Sequence, residues 1–146
     1  MSQARTNARK TAVQALYQWQ MTGQNLAEIE RQFVEEERLK DVQKSYFIEL
    51  FYGVPKNLDA IDQALSEFVD RPVDAIDPVE RAILRIGVYE LLHRLDMPYR
   101  VVLNEGINLA KYFGADGSHK YVNGILDKVA QQKRAVEIKA RTAGDK

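Results

Sequence analysis

Residues 77–95, D-P-V-E-R-A-I-L-R-I-G-V-Y-E-L-L-H-R-L, limit the possible folds more than any other stretch. Apolar side chains fall at Val79, Ala82, Ile83, Leu84, Ile86, Val88, Tyr89, Leu91, Leu92 and Leu95. At the helical period they cover most of the circumference rather than one stripe. A helix that is apolar nearly all round is buried on several sides, so the other elements must pack around it. Asp77 suits the cap and Pro78 the first turn. Glu80, three residues on, completes a capping box with Asp in the Ser/Thr place. Asp96-Met97-Pro98 is expected to end the helix, because the residue before a proline is pushed out of helical dihedrals.

The flanking segments also read as helices. Ala4, Ala8, Ala12, Ala15, Leu16 and Trp19 form a stripe over residues 3–21, with Arg5 and Arg9 one turn apart at its edge. Lys10, Gln14, Tyr17 and Met21 make a second row on another side of that helix, which fits a helix packed on two sides at least as well as a partner face. Thr22-Gly23 breaks it, and Asn25 caps a short helix marked by Leu26, Ile29 and Phe33. From about Lys40 the apolar spacing runs from Phe47 through Pro55 to Phe68, predicting one helix kinked near Gly53–Pro55 or two nearly end to end. After the central helix, Leu103, Gly106, Ile107, Ala110 and Phe113 mark another. Gly114 suits its C′ position, and Ser118 is placed to cap the last helix, with Val122, Ile125, Leu126, Val129 and Ala130 on its inner face. There is no strand alternation and no internal repeat. The expectation is an all-α fold of six to seven helices in two small packed bundles, about 3–69 and about 77–132. Together they form one domain, 1–132, followed by a charged, disordered tail at 133–146.

The 146 residues carry no formal net charge, but the charge is unevenly divided. Residues 1–24 hold Arg5, Arg9 and Lys10 and no acid, and residues 115–146 hold seven basic and four acidic residues. Between them lie 11 basic and 17 acidic residues. Two basic ends around an acidic body suit a polyanion at one place and a basic partner at another. The absence of cysteine excludes disulfides and thiolate catalysis. Neither histidine sits in a metal-ligand pattern, so no metal or cofactor is expected and the chain does not read as an enzyme. Asp59 and Asp62 share a helix face that reads as solvated charge. With no signal-like segment or membrane-length apolar run, a cytoplasmic protein is expected.

The most informative polar segment is Gly117-Ser118-His119-Lys120-Tyr121-Val122-Asn123-Gly124. A helix start offers free amides and a positive dipole end. Lys120 adds charge, His119 and Asn123 hydrogen bonding, and Tyr121 a ring for stacking, a set that suits single-stranded nucleic acid. An ordinary capped helix with Tyr121 packed inward fits the composition equally well.

The segments A-V-Q-A-L-Y (12–17), P-V-E-R-A-I-L-R-I-G-V-Y-E-L (78–91), P-Y-R-V-V-L-N-E (98–105), A-K-Y-F-G (110–114) and S-H-K-Y-V-N-G-I-L-D-K (118–128) closely resemble the bacterial NusB family. The likeness covers about residues 4–131, in order and with family-like spacing. It implies a role in transcription antitermination, binding boxA RNA of ribosomal RNA leaders with the ribosomal protein that doubles as NusE, and joining the antitermination complex on RNA polymerase. It places RNA contacts at Arg5, Arg9, Lys10 and Gln14 and at Ser118, His119, Lys120, Tyr121 and Asn123. It places the NusE surface at Tyr17, Met21 and Glu80. The N-terminal basic cluster is sparser than the family's, and Gly117 stands where the family often has an acid. A related domain precedes the catalytic domain of some ribosomal RNA methyltransferases, but this chain has no cofactor-binding domain. The competing reading is a non-RNA helical interaction module, a homodimer with a self-complementary Tyr17 face.

Overall fold

The computed structural model describes residues 3–114 and 116–144. Within them lie eight α-helices: α1 (Gln3–Thr22), α2 (Leu26–Glu35), α3 (Lys44–Lys56), α4 (Leu58–Ser66), α5 (Pro78–His93), α6 (Tyr99–Phe113), α7 (Ser118–Lys133) and α8 (Ala135–Gly144). A 3-10 turn, Val73–Ala75, leads into α5. No helix among the described residues is long and apolar enough to cross a membrane.

Helix α5 is the axis that its composition predicts. Every residue from Arg81 to Leu91 is buried, and α1, α3, α4, α6 and α7 all lie against it. Two glycines set the spacing. A Cβ at Gly87 of α5 would lie 2.7 Å from Leu126 Cδ2, and one at Gly106 of α6 would lie 2.7 Å from Leu126 Cδ1. Leu126 of α7 is therefore wedged against two backbones at once. Helix α1 joins the halves of the molecule, packing on α2 and α3 and also on α5 and α6. A single buried cluster runs from Ala8 and Phe47 through Leu84 to Leu126 and Val129.

The helix starts follow the capping residues in two cases. Asp77 Oδ1 accepts from the amides of Val79 and Glu80, and Asn25 Oδ1 from that of Ala27. The expected break between 40 and 68 falls at Asn57, two residues past Pro55. The proline, in the last turn of α3, lacks the N–H that would bond the Phe51 carbonyl. Asn57 then closes α3, its Nδ2 donating to the Gly53 carbonyl at 2.8 Å.

Three expectations are corrected. Helix α5 ends at His93, so Leu95 is outside it and 71% exposed. Asp62 is not simply solvated: its carboxylate forms a two-point ion pair with buried Arg85, at 3.0 and 2.8 Å. The expected disordered tail carries α8. The reason is Arg134, which is buried and donates to the carbonyls of Glu90, Leu91, Arg94 and Met97. It satisfies the last turn of α5 and the turn beyond it, where helical carbonyls have no partners of their own. Glu137 pairs with Arg134 at 2.6 Å and accepts from the Tyr99 amide at 3.0 Å, closing the exposed start of α6 as well. Ala115 of the expected tight loop, residues 1–2 and the last two tail residues lie outside the described residues.

Candidate nucleic-acid interface

The second row of α1 is half-buried at Lys10 and Gln14 and opens to the surface at Tyr17 and Met21. Tyr17 is 40% and Met21 56% exposed. With Gln14, Arg38, Val79 and Phe113 they line a groove of about 450 Å³. Val79 brings the start of α5 to this groove, and Phe113 brings the end of α6. Arg38 forms the rim: its guanidinium lies 3.8 Å from the Phe33 ring centroid and donates to Gln14 Oε1. The groove is thus mostly apolar with a cationic edge, which suits an aromatic or aliphatic protein anchor.

Residues 114–117 separate Phe113 from α7. Gly117 is the N-cap and has φ 84°, in the left-handed region that glycine enters without steric cost. The glycine that replaces the family's acidic residue is therefore suited to this backbone. Ser118 does not cap α7. It is buried at the first helical position and donates to Glu80 Oε2 at 2.8 Å. Glu80 likewise departs from expectation. Asp77 caps the amides of α5, while the Glu80 carboxylate is engaged by Ser118, tying the starts of α5 and α7 together. Gly114 is needed for space rather than for a left-handed turn. Its φ is −90°, and a Cβ there would lie 2.7 Å from Ser118 Cβ.

Lys120 is exposed at this helix start, and His119 and Asn123 are half-buried. Tyr121 is more enclosed than a free stacking ring. It packs against the core, its hydroxyl is buried without a partner, and Arg71 lies 5.9 Å from its ring centroid. Burial pushes its hydroxyl pKa upward, against the nearby Arg71 charge.

The basic residues of α1 divide sharply. Arg5 donates to Gln43 Oε1 at 3.4 Å and lies 4.9 Å from the Tyr46 ring centroid. Lys10 is half-buried, with its ammonium 4.1 Å from the ring centroid of exposed Tyr112. Arg9 is fully buried, which corrects its expected place among surface phosphate contacts. Its Nε donates to Glu90 Oε2 at 3.0 Å, its Nη1 lies 3.6 Å from Glu105 Oε1, and its Nη2 reaches Met97 Sδ at 3.4 Å. The Tyr46 hydroxyl also donates to Glu90 Oε2. Burial raises the Glu90 carboxyl pKa, opposed by the charge of Arg9 and the hydrogen bonds from Tyr46 and Arg9. Burial also works to lower the Arg9 pKa, but the charges of Glu90 and Glu105 and the hydrogen bond to Glu90 outweigh it and hold it above its ordinary value. A buried ion set of this kind costs desolvation and holds four helices in one arrangement.

Contacts join the two candidate stretches. Lys10 touches Tyr112, Phe113 reaches the Tyr17 groove, Gly114 abuts Ser118, and Ser118 holds Glu80 beside Val79. Sequence reading missed Tyr112. The available signal was the four-residue spacing of Asn104, Asn108 and Tyr112, a row apart from the Gly106, Ala110 and Phe113 face. No group of acidic or histidine side chains suited to a metal occurs among the described residues.

A sequence model of the NusB family matches residues 6–131. The chain is 52% identical to a transcription antitermination protein NusB from Nitrosococcus oceani over 141 residues, covering 97% of this chain and 95% of that protein. It is 45% identical to a protein of the same name from Methylococcus capsulatus, covering 99% of this chain and all of that one (100%). Among solved structures, Thermotoga maritima NusB superposes with a TM-score of 0.77 at 31% identity, covering 90% of this chain and 93% of that one. A chain from a crystal structure of the antitermination factors NusB and NusE in complex with double-stranded RNA superposes with a TM-score of 0.81. Its identity is 28%, covering 90% of this chain and 99% of that one.

Proposed function

This chain belongs to the NusB family of transcription antitermination proteins, and on that premise we propose that it binds the boxA RNA of ribosomal RNA leaders together with a NusE-type ribosomal protein. The pair then joins the antitermination complex on RNA polymerase, in the cytoplasm. The observation that carries the reading is the continuity of two chemically different surfaces. One is the apolar Tyr17–Met21 groove, which suits a protein anchor. The other is the polar start of α7 with exposed Lys120, linked to Lys10 through Tyr112 and the Gly114–Ser118 contact, which suits RNA. The relative solved with NusE and RNA supports both partners.

The division of labour follows from exposure. Lys10 and Lys120 supply charge to phosphates, which gives affinity without sequence preference. Amides at the start of α7 strengthen that contact. His119 and Asn123 offer hydrogen bonds to base edges, and the uncovered part of the Tyr121 ring offers a surface for a base. Gln14 lies between the two surfaces, held by Arg38. Tyr17 and Met21 anchor NusE, and Glu80, next in the chain to groove-lining Val79, holds α7 in place through Ser118. Arg9 and Ser118 act from the interior.

The test is equilibrium binding of single-stranded boxA RNA, a scrambled strand and a boxA duplex, with and without NusE. The reading predicts tightest binding of the boxA strand, and a further gain with NusE. Equal binding of all three RNAs, unchanged by NusE, would leave the homodimeric module as the better account, and sedimentation of the free chain would then show a dimer.

A further inference from the structure

All the exposed positions of α6 are Arg100, Asn104, Asn108, Lys111 and Tyr112. They comprise two cations, two amides and one aromatic ring, with no carboxylate. The only acid of this helix, Glu105, is buried and faces Arg9. Asn104, Asn108 and Tyr112 follow one another at four-residue intervals, so they form one row about 12 Å long. Lys111 flanks its end.

Tyr112 is the distinctive member. It is 59% exposed, yet its ring is held in place. The Phe113 ring meets it edge-on at 4.7 Å between centroids, and the Lys10 ammonium lies 4.1 Å from its own centroid. A ring already ordered by its neighbours loses little freedom when a ligand stacks on it. The cation lies over one face of the ring and adds an attraction for a phosphate next to a base on the other face. The ring also stands where α6 leads into the start of α7, with Gly114 against Ser118.

We propose that the exposed face of α6 is a further single-stranded RNA subsite, extending the RNA path beyond the start of α7. Tyr112 stacks one base, Lys10 and Lys111 meet phosphates, and Asn108 and Asn104 hydrogen-bond base edges. The subsite rests on the RNA-binding reading above. A protein partner fits this face poorly: it would bury a lysine and two amides around one ring with no aliphatic side chain, the reverse of an interface core. A duplex fits poorly too, because stacking on a side chain requires an unpaired base.

The experiment measures anisotropy of labelled RNA with NusE present. It compares boxA alone with boxA lengthened at either end by about six unstructured nucleotides, within the range of single-strand site sizes. Wild type should bind one of the lengthened RNAs more tightly. Tyr112→Ala should lower that affinity by about five- to a hundredfold, a clearly larger factor than any loss on boxA alone, and Tyr112→Phe should restore it. Lys111→Ala should reduce the salt slope by about 0.7 on the lengthened RNA only. A fluorescent adenine analogue in the extension should be quenched by wild type and Tyr112→Phe, but not by Tyr112→Ala. Equal affinity of wild type for all lengths, or equal losses on short and long RNA in Tyr112→Ala, would overturn the subsite while boxA binding stood. Failure of wild type to bind even boxA would remove the RNA reading and the subsite together.

Discussion

Arg9 and Lys10 are neighbours in the chain and part company in the fold. One is sealed between Glu90, Glu105 and Tyr46, and the other reaches the surface at Tyr112. Arg9→Ala should therefore cost about 3–5 kcal/mol, because it leaves two buried carboxylates without their cation. Lys10→Ala should stay within about 0.5 kcal/mol of wild type, as surface changes do. Denaturant melts of the two variants provide the comparison, and equal small losses would place Arg9 at the surface after all. A signal for this pairing was present in the sequence. Glu90 lies between Tyr89 and Leu91 in the last turn of a helix that is apolar nearly all round, and a buried carboxylate needs a partner. What the sequence did not supply was which cation, 81 residues away, would come to it. Tyr17 was legible only in part: its row repeats at helical spacing on a side away from the alanine stripe, but a helix packed on two sides fits that spacing equally. Tyr17→Ala should weaken NusE binding by at least about 2 kcal/mol, as loss of an aromatic hot spot does, with little change in melting temperature. Intact affinity with a large loss of stability, measured by calorimetry, would assign Tyr17 to the core.

Among the elements, α5 was the most legible and α8 the least. The composition of residues 77–95 marks a buried helix without reference to anything else. Leu84→Ala and Ile86→Ala should each cost about 2–5 kcal/mol, read from chemical melts; changes within about 0.5 kcal/mol would remove α5 from the centre. Helix α8 has only two large apolar residues, Val136 and Ile138, the first of them exposed, and its order depends on Arg134 reaching carbonyls at the far end of α5 and on Glu137 reaching the Tyr99 amide. Such long-range capping leaves no periodic trace in sequence. It does leave a pH dependence. Burial works to raise the Glu137 carboxyl pKa, but the Tyr99 amide and the hydrogen bond and charge of Arg134 outweigh it, so the folded value lies below the ordinary one. The tie is fully present above the unfolded carboxylate pKa and lost as pH falls through the lowered folded value. Amide exchange at Tyr99 and along α8 should rise over that acid window in wild type and show no such step in Glu137→Gln. Identical profiles for the two would show that Glu137 does not hold α8.

At the scale of the whole molecule, the division between basic ends and an acidic body proved informative only in part. Lys10 and Lys120 lie on joined surfaces, whereas Arg9 and Arg134 lie inside and Asp62 is paired with Arg85. Formal charge along the chain therefore overstates what a polyanion meets. The continuity of the candidate surface depends on packing that only the fold displays: Leu126 wedged on Gly87 and Gly106, and Ser118 held by Glu80. The central claim is that RNA lies across α1 and the start of α7 while NusE occupies the Tyr17 groove. Photo-crosslinking of boxA RNA in the complex with NusE, mapped residue by residue, tests it most directly. The account predicts crosslinks at Lys10, His119, Lys120 and Tyr121 and protection of Tyr17 and Met21. Crosslinks confined to α4 and α8, with Lys120 and Tyr121 unmarked, would contradict it.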